Sequence, residues 1–152
     1  MPRNRPPRCL ALGLLAVLLA CTRQPTDPVA ALLADLEAAA EARDADRFAG
    51  WLSTGFQGAQ RIDRGEALAQ LKRYFAAYES VALDVYGVEV ERGKGAARVR
   101  CVVEFSGRAR KLVGLEGLLP PSAVHRFELD VVDEGGTWRV REASWQAAET
   151  GG

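Results

Sequence analysis

The chain has 152 residues, with 20 basic and 20 acidic side chains and a single histidine, so its formal net charge at pH 7 is zero. A length in this range predicts one domain. An even balance of charge provides no field that would attract a polyanion, so nucleic acid is excluded as an expected partner.

The N-terminus is organised as a secretory signal. Three arginines among the first eight residues precede an apolar run over residues 10–19. Such a run is too short for a membrane-spanning helix, which needs ~20 apolar residues, and is typical of a signal sequence. It ends in Leu-Leu-Ala-Cys at residues 18–21, which resembles the lipobox of bacterial lipoproteins. We therefore interpret residues 1–20 as a lipoprotein signal peptide.

The lipobox resemblance implies that Cys21 receives a diacylglyceryl group and, after cleavage, a further acyl chain such as palmitate. Each buried methylene contributes ~0.8 kcal/mol, and more than one chain makes the anchoring stable. The implied location is the periplasmic face of a membrane, and residues 21–26 would form a short tether. Thr22 stands where inner-membrane lipoproteins usually have aspartate, which favours the outer membrane. The alternatives are an ordinary secretory signal with an incidental cysteine, and an uncleaved anchor.

Cleavage would change both the charge and the cysteine content. It removes three of the 20 basic residues, so 17 remain against 20 acidic residues and the formal net charge becomes −3. Cys9 leaves with the signal, so Cys101 is the one thiol of the folded part and no internal disulfide can form. Cys101 shares a strand face with Val99 and Val103, which predicts a buried, inert thiol. A single histidine and this cysteine lack any ligand spacing, so no metal or cofactor is predicted.

The folded domain is predicted over residues 27–148 and begins with a helix. Asp27 followed by Pro28 is typical of a helix N-terminus. Apolar residues then recur at helical spacing as far as Ala42. This pattern predicts an amphipathic first helix.

Two further helices are predicted before the long strands. A second cap at residues 43–46 begins a shorter helix that is expected to end near Gly55. Residues 56–62 are interpreted as a short strand or a loop. Asp63 with Glu66 three positions later resembles a capping box, which predicts the start of a third helix.

Alternating apolar residues predict four long antiparallel strands after the helices, near residues 81–90, 97–105, 123–132 and 137–145. Gly87 lies where the apolar phase of the first strand changes, which predicts a bulge. The apolar residues of the last strand also change from one face to the other. Either this strand bulges as well, or Trp145 lies on the outer face. The last two strands form a hairpin, and either register that keeps their apolar faces together sets Asp130 opposite an arginine.

Residues 107–122 connect the second and third of these strands and combine a basic cluster with several leucines. This loop is interpreted as a cover over the open end of the core, with contact to lipid or to a partner as the alternatives. The tail over residues 149–152 is predicted to be disordered.

The order of elements resembles the nuclear transport factor 2-like superfamily, which includes ketosteroid isomerases and SnoaL-like proteins. The resemblance covers about residues 28–146. Its local marks are Ala-Arg-Asp-Ala-Asp at residues 42–46 and Gly-Thr-Trp-Arg-Val at residues 136–140, with Trp145 near the end. It implies an α+β cone in which three N-terminal helices pack on a curved, four-stranded antiparallel sheet. In such cones the helices and the concave sheet face enclose a pocket, and some members are enzymes while many only bind.

The residue types argue against the known catalytic sets of that superfamily. Ketosteroid isomerases use a tyrosine from the first helix, and this helix has none. Scytalone dehydratase-like sites need two histidines, and limonene epoxide hydrolase-like sites need an Asp-Arg-Asp set inside the cone. His125 lies two positions before Phe127, so both are expected on the same strand face, toward the cavity. Without a bulge, Glu142 would face the cavity too. An acid beside a histidine can transfer protons, so this pair is the weak catalytic candidate.

The favoured hypothesis is a non-catalytic, membrane-anchored lipoprotein that binds a small apolar ligand or a protein partner. One alternative is a SnoaL-like isomerase, dehydratase or hydrolase that uses His125 and Glu142. Another is an adaptor for envelope assembly, and the exposed sheet face is a candidate for homodimer formation. The residues expected to line the pocket are aromatic or apolar apart from the histidine: Trp51, Leu71, Tyr74, Phe75, Tyr78, His125, Phe127, Trp138 and Trp145.

Overall fold

The structure is a computed structural model that describes residues 27–110 and 122–148. The predicted signal peptide, lipidated Cys21, tether, tail and most of the loop over residues 107–122 lie outside the described residues. Within the described ranges, none of the helices combines the length and the apolar character that crossing a membrane requires.

Three α-helices occur in the described part of the chain, and each starts at the predicted cap. They span Pro28–Glu41 (α1), Ala45–Gly50 (α2) and Arg64–Ala77 (α3). The Asp27 carboxylate accepts a hydrogen bond from the backbone N–H of Val29. Asp63 and Glu66 form the complete capping box, with donor–acceptor distances of 2.9 and 3.1 Å. These acceptors satisfy backbone donors that have no partner inside a helix, which fixes where each helix begins.

The described sheet has five strands, so the prediction of four was wrong. The strands are Leu52–Gln57 (β1), Tyr78–Gly93 (β2), Ala96–Ala109 (β3), Ser122–Glu134 (β4) and Thr137–Ala147 (β5), in the order β1-β5-β4-β3-β2. The four long strands are antiparallel as predicted.

The missed strand, β1, pairs in parallel with β5. The second helix was expected to continue to about Gly55, but it ends at Gly50 and Leu52 already lies beside Val140. A backbone hydrogen bond of 2.9 Å from the N–H of Val140 to the carbonyl of Trp51 makes the junction. Tertiary pairing with β5 therefore overrides a short segment whose own sequence has no strand alternation.

Two bulges bend the sheet and set which residues face the helices. In β2 the register advances by one extra residue between Tyr86 and Glu89, and Gly87 has a φ of 61°. This confirms the bulge predicted at Gly87, where a left-handed conformation favours glycine. In β5 the register changes between the pairs Val131–Val140 and Asp130–Glu142. Asp130 consequently faces Glu142 rather than an arginine of β5, and Arg98 of β3 provides its positive partner at 2.9 Å.

Half of the inner sheet face is sealed by the helices, and we call it the closed half. Val99, Val131 and Val140 on the strands are at most 2% exposed, as are Val29 and Leu32 of α1. The opposite, outer face carries charged side chains in ion pairs, among them Arg98–Asp130 and Arg100–Glu128. The core therefore lies between α1 and the inner face, as expected for an α+β layer structure.

Candidate functional site

The other half of the inner face is aromatic and partly exposed, and we call it the open half. It consists of His125 and Phe127 on β4 and Trp145 on β5. The Phe127 and Trp145 rings are stacked, with centroids 5.9 Å apart and planes 26° apart. His125 meets Phe127 edge to face, at a centroid distance of 6.4 Å. Trp145 is 42% exposed, so part of its apolar indole surface remains accessible to solvent.

The bulge in β5 is what brings Trp145 to this face. It restores Ala143 to the position opposite Leu129 and places Trp145 opposite Phe127. Directly paired residues of an antiparallel sheet lie on the same face. The structure therefore decides the alternative left open by the sequence, and Trp145 faces inward.

The same bulge separates the two residues of the weak catalytic candidate. Glu142 is opposite Asp130, so it lies on the charged outer face. His125 is opposite Val103 and Ala147 and lies on the inner face with Phe127. An imidazole and a carboxylate on opposite faces of one sheet cannot exchange a proton directly.

A tyrosine and phenylalanine cluster borders the open half. Phe105 lies two residues from Val103, the cross-strand partner of His125, and contacts the rings of Tyr74 at 5.4 Å and Tyr78 at 5.1 Å. Tyr78 is fully buried, whereas Tyr74 is 37% exposed. Burial and a hydrogen bond with Tyr78 raise the pKa of Tyr74 above its ordinary value. Tyr74 therefore stays protonated and can act as a hydrogen-bond donor or acceptor at this border.

The remaining polar groups of the inner face offer little chemistry. Burial raises the pKa of Cys101, which keeps the thiol protonated and unreactive. In the part of the chain that the structure describes, no group of three or more His, Cys, Asp or Glu side chains could hold a metal ion. The open half is therefore an apolar surface with one imidazole and one phenol at its edges.

The nine residues expected to line the pocket do not form one site. His125, Phe127 and Trp145 lie together in the open half, where Phe127 also packs against the core cluster of the closed half, and Tyr74 borders it. Phe75 and Tyr78 are buried in helix–sheet contacts. The other three are half-buried and pack against core clusters: Trp51, Leu71 and Trp138.

A second feature, which the sequence did not predict, is a basic cavity of about 320 Å³ between the α1–α2 turn and α3. Its cationic lining residues are Arg43, Lys72 and Arg110, and Phe75 forms part of its apolar wall. Arg43 belongs to the Ala-Arg-Asp-Ala-Asp segment over residues 42–46. The sequence did not predict this cavity, because Lys72 and Arg110 are 29 and 67 residues away from Arg43 and meet it only in the folded chain.

Comparison with known proteins identifies the fold and no closer relationship. No model of a protein family matches the chain, and no curated protein matches it. Among solved structures, a provisionally named dehydratase of the nuclear transport factor 2-like family from Streptomyces avermitilis has a TM-score of 0.69 at 13% identity, over 81% of this chain and 95% of that one. An uncharacterised cystatin-like protein from Caulobacter vibrioides has a TM-score of 0.65 at 16% identity, over 82% and 90%.

A provisionally named scytalone dehydratase from Novosphingobium aromaticivorans is similar to the same extent, with a TM-score of 0.68 at 13% identity, over 80% of this chain and 82% of that one. At such identities the likeness concerns the fold alone. The chain has the α+β fold of nuclear transport factor 2-like and cystatin-like proteins, with a five-stranded sheet.

Proposed function

We propose that this protein is a membrane-anchored lipoprotein whose domain binds a small, planar, apolar ligand in the open half, without catalysing a reaction on it. The observation that carries the proposal is the stacked Phe127–Trp145 pair. Its tryptophan is 42% exposed although it lies on the sheet face that the helices seal elsewhere. A flat ligand placed on that ring would bury aromatic area and gain stacking energy of ~1 kcal/mol beyond area burial.

Polar groups at the edge would orient such a ligand rather than react with it. His125 lies beside Phe127, and the Tyr74 ring packs on Phe105, which lies along the same strand face. Apolar sites with few polar groups are typical of binding pockets. Because Glu142 lies on the outer face, the acid and base pair of the enzymatic alternative is not assembled.

The test is to identify what the protein retains in its own cells. The full-length chain is purified from membranes, and bound small molecules are extracted and identified by mass spectrometry. We expect an apolar aromatic compound that is lost from Trp145→Ala and Phe127→Ala. Tyr86→Ala is the matched control, because Tyr86 is 45% exposed and lies on the outer face opposite Val102. If the wild type and the three variants all retain the same amount of the compound, the proposed site is wrong.

One observation favours the enzymatic alternative: proteins of similar fold include provisionally named dehydratases. In this chain it would have to rest on His125 without Glu142. The same extraction discriminates between the two. If the wild-type chain retains a product and His125→Gln retains its precursor, the protein is an enzyme. If both retain the same compound, binding without catalysis is supported.

The membrane anchor and its outer-membrane location are tested separately. Cells are labelled with an alkyne fatty acid, and the chain is followed in inner-membrane, outer-membrane and soluble fractions. We expect Cys21→Ala to lose the label and the outer-membrane location, whereas Cys9→Ala keeps both, because Cys9 lies within the proposed signal peptide. A Cys21→Ala protein that keeps its label would overturn the anchor.

The adaptor alternative would use the outer sheet face, where a second copy or an envelope protein could dock. The charged side chains there are arranged in ion pairs, such as Arg100 with Glu91 and Glu128. Chemical crosslinking in cells, compared between the wild-type chain and a Tyr86→Lys variant of that face, tests it. A crosslinked product that disappears in the variant would favour the adaptor.

A further inference from the structure

We infer that the basic cavity is a binding site for a phosphate-type anion, a phosphate monoester or diester. The cavity has about 320 Å³ of space, which is at the small end of the ~300–1,000 Å³ that ligand pockets occupy. It lies at the ends of α1 and α3, and its lining residues do not include His125, Phe127 or Trp145. This inference is independent of the function proposed above.

Two of its cations, Arg43 and Arg110, take part in no ion pair with an acid of residues 27–110 or 122–148. Lys72 is paired with Asp46 at 2.9 Å, but its side chain is 58% exposed and so this pair is weak. Arginine presents a planar fork of donors that matches two oxygens of a phosphate group.

The backbone holds these cations in place. Arg43 has a φ of 55°, a left-handed conformation that costs a residue with a side chain ~1 kcal/mol. Its Nη1 donates a hydrogen bond of 2.9 Å to the carbonyl of Tyr78, which fixes the direction of the guanidinium. The backbone N–H of Arg110 donates to the carbonyl of Ala77 at 2.8 Å, so the end of β3 is fastened to the end of α3.

Helix dipoles do not neutralise the charge of the cavity. The C-termini of α1 and α3 both lie here, and each has a partial charge of about −0.5. These two half charges and the nearby Asp44 and Asp46 offset much of the positive charge, but every charged side chain that lines the cavity is cationic. An anion would pair with these cations, and the apolar wall formed by Phe75 would accommodate the carbon atoms that the phosphate carries.

The test measures binding of inorganic phosphate and of glycerol 3-phosphate to the full-length chain in a non-ionic detergent, by calorimetry and by backbone amide NMR. We expect saturable binding, with the amides around Arg43 and Lys72 shifted. Arg110→Gln should weaken the affinity about tenfold, because it removes one charged donor. Lys72→Gln should weaken it about threefold, because Asp46 already shares that charge.

Two further variants make the result specific. Arg73→Gln removes the same charge from α3, but Arg73 does not line the cavity, so its affinity should stay within about twofold of the wild type. Asp46→Asn should strengthen binding about threefold, because Lys72 is released from its partner. An Arg73→Gln loss as large as that of Arg110→Gln would overturn the site, since binding would then follow only the net charge.

A second arm identifies the source of the phosphate. Bicelles with phosphatidylglycerol are compared with bicelles of phosphatidylcholine alone, which have no net charge. Tighter binding to phosphatidylglycerol that Arg110→Gln weakens assigns the anion to a lipid headgroup. Tighter binding to glycerol 3-phosphate assigns it to a soluble compound, and either result supports the site. If no probe binds saturably at about 10 mM, the inference is wrong.

Discussion

The closed and open halves of the inner sheet face are made by the same strands and differ in what covers them. In the closed half, Val99 and Val131 are fully buried against α1 and its neighbours. A few residues along the same strands, Phe127 is half-buried and Trp145 is 42% exposed. Strand alternation places both sets of apolar residues on one face, so alternation alone does not distinguish a core from a binding surface.

Cover by the helices, rather than residue type alone, distinguishes the two halves. The sealed strand residues of the closed half are Val99, Val131 and Val140, but the rings of Phe56 and Trp138 also belong to the packing there. The open half uses aromatic rings and an imidazole, which combine a flat apolar surface with a polar edge. Exposed aromatic surface lowers solubility unless something binds it, which is why we assign function to the open half.

The largest effect is expected from opening the closed half. Leu32→Ala removes a side chain of α1 that is 2% exposed and should lower the free energy of unfolding by ~3 kcal/mol. Val88→Ala is the control, because Val88 is 44% exposed, and it should change stability by less than ~0.5 kcal/mol. Urea denaturation measures both. Similar stabilities for the two variants would show that α1 does not seal this half.

A somewhat smaller effect is expected at the border between the halves. A Cβ on Gly107 would lie 2.5 Å from Phe105 Cζ and 2.7 Å from Tyr78 Cδ1. Because both rings are buried, Gly107→Ala should destabilise the protein by ~2 kcal/mol through overpacking. Gly55→Ala is the matched control, because nothing lies within 4 Å of its Cβ position. Scanning calorimetry measures the melting temperatures of the two variants. Equal melting temperatures would contradict the close packing of Gly107 against Phe105 and Tyr78.

Truncation in the open half should affect stability less than either of these changes, and binding most. Trp145→Ala loses one stacked ring pair, so the free energy of unfolding should fall by only ~1 kcal/mol. The retained aromatic compound should be absent from this variant. If Trp145→Ala destabilises the protein as much as Leu32→Ala does, the open half is part of the core and not a binding surface.

The smallest effect concerns the rim of the closed half and depends on pH. The hydroxyl of Ser53 donates a 2.6 Å hydrogen bond to Glu134 and Arg139 lies at 3.0 Å, and these interactions lower the pKa of Glu134 below its ordinary value of 4.5. A lowered carboxyl pKa contributes stability that is fully present above the unfolded value and is lost as pH falls through the folded value. Stability should therefore decline below about pH 4.5.

Glu134→Gln provides the check on that pH dependence. The variant should be less stable than the wild type at pH 7, and its stability should fall less steeply as the solution is acidified, as followed by urea denaturation at each pH. Glu89→Gln, an exposed acid of β2, is the control. Identical pH profiles for the wild type and Glu134→Gln would mean that these contacts contribute nothing.

Local chemistry explains which parts of the fold could be predicted from the sequence. Asp27 and the Asp63–Glu66 capping box mark helix starts through short-range hydrogen bonds, and Gly87 marks a bulge through its backbone freedom. Strand β1 was missed because its pairing with β5 is a long-range contact that its own residues do not encode.

The site was only partly predictable for the same reason. The inward placement of Trp145 and the outward placement of Glu142 both depend on one extra residue in β5, and the sequence showed the conflict without deciding it. The basic cavity depends on three elements that meet only in the folded chain. Parity along a strand predicts a face, but a bulge reverses it for every residue that follows.

Binding of an apolar ligand on the Phe127–Trp145 surface can be measured directly, because His125 beside it is the single histidine of the chain. The full-length chain with ¹³C-labelled histidine gives imidazole NMR signals from one residue, which are followed as indole is added. We expect these signals to shift in a saturable manner, and Phe127→Ala should abolish the shift while Tyr86→Ala should not. Saturable indole binding that leaves the His125 signals unmoved would contradict binding at this surface.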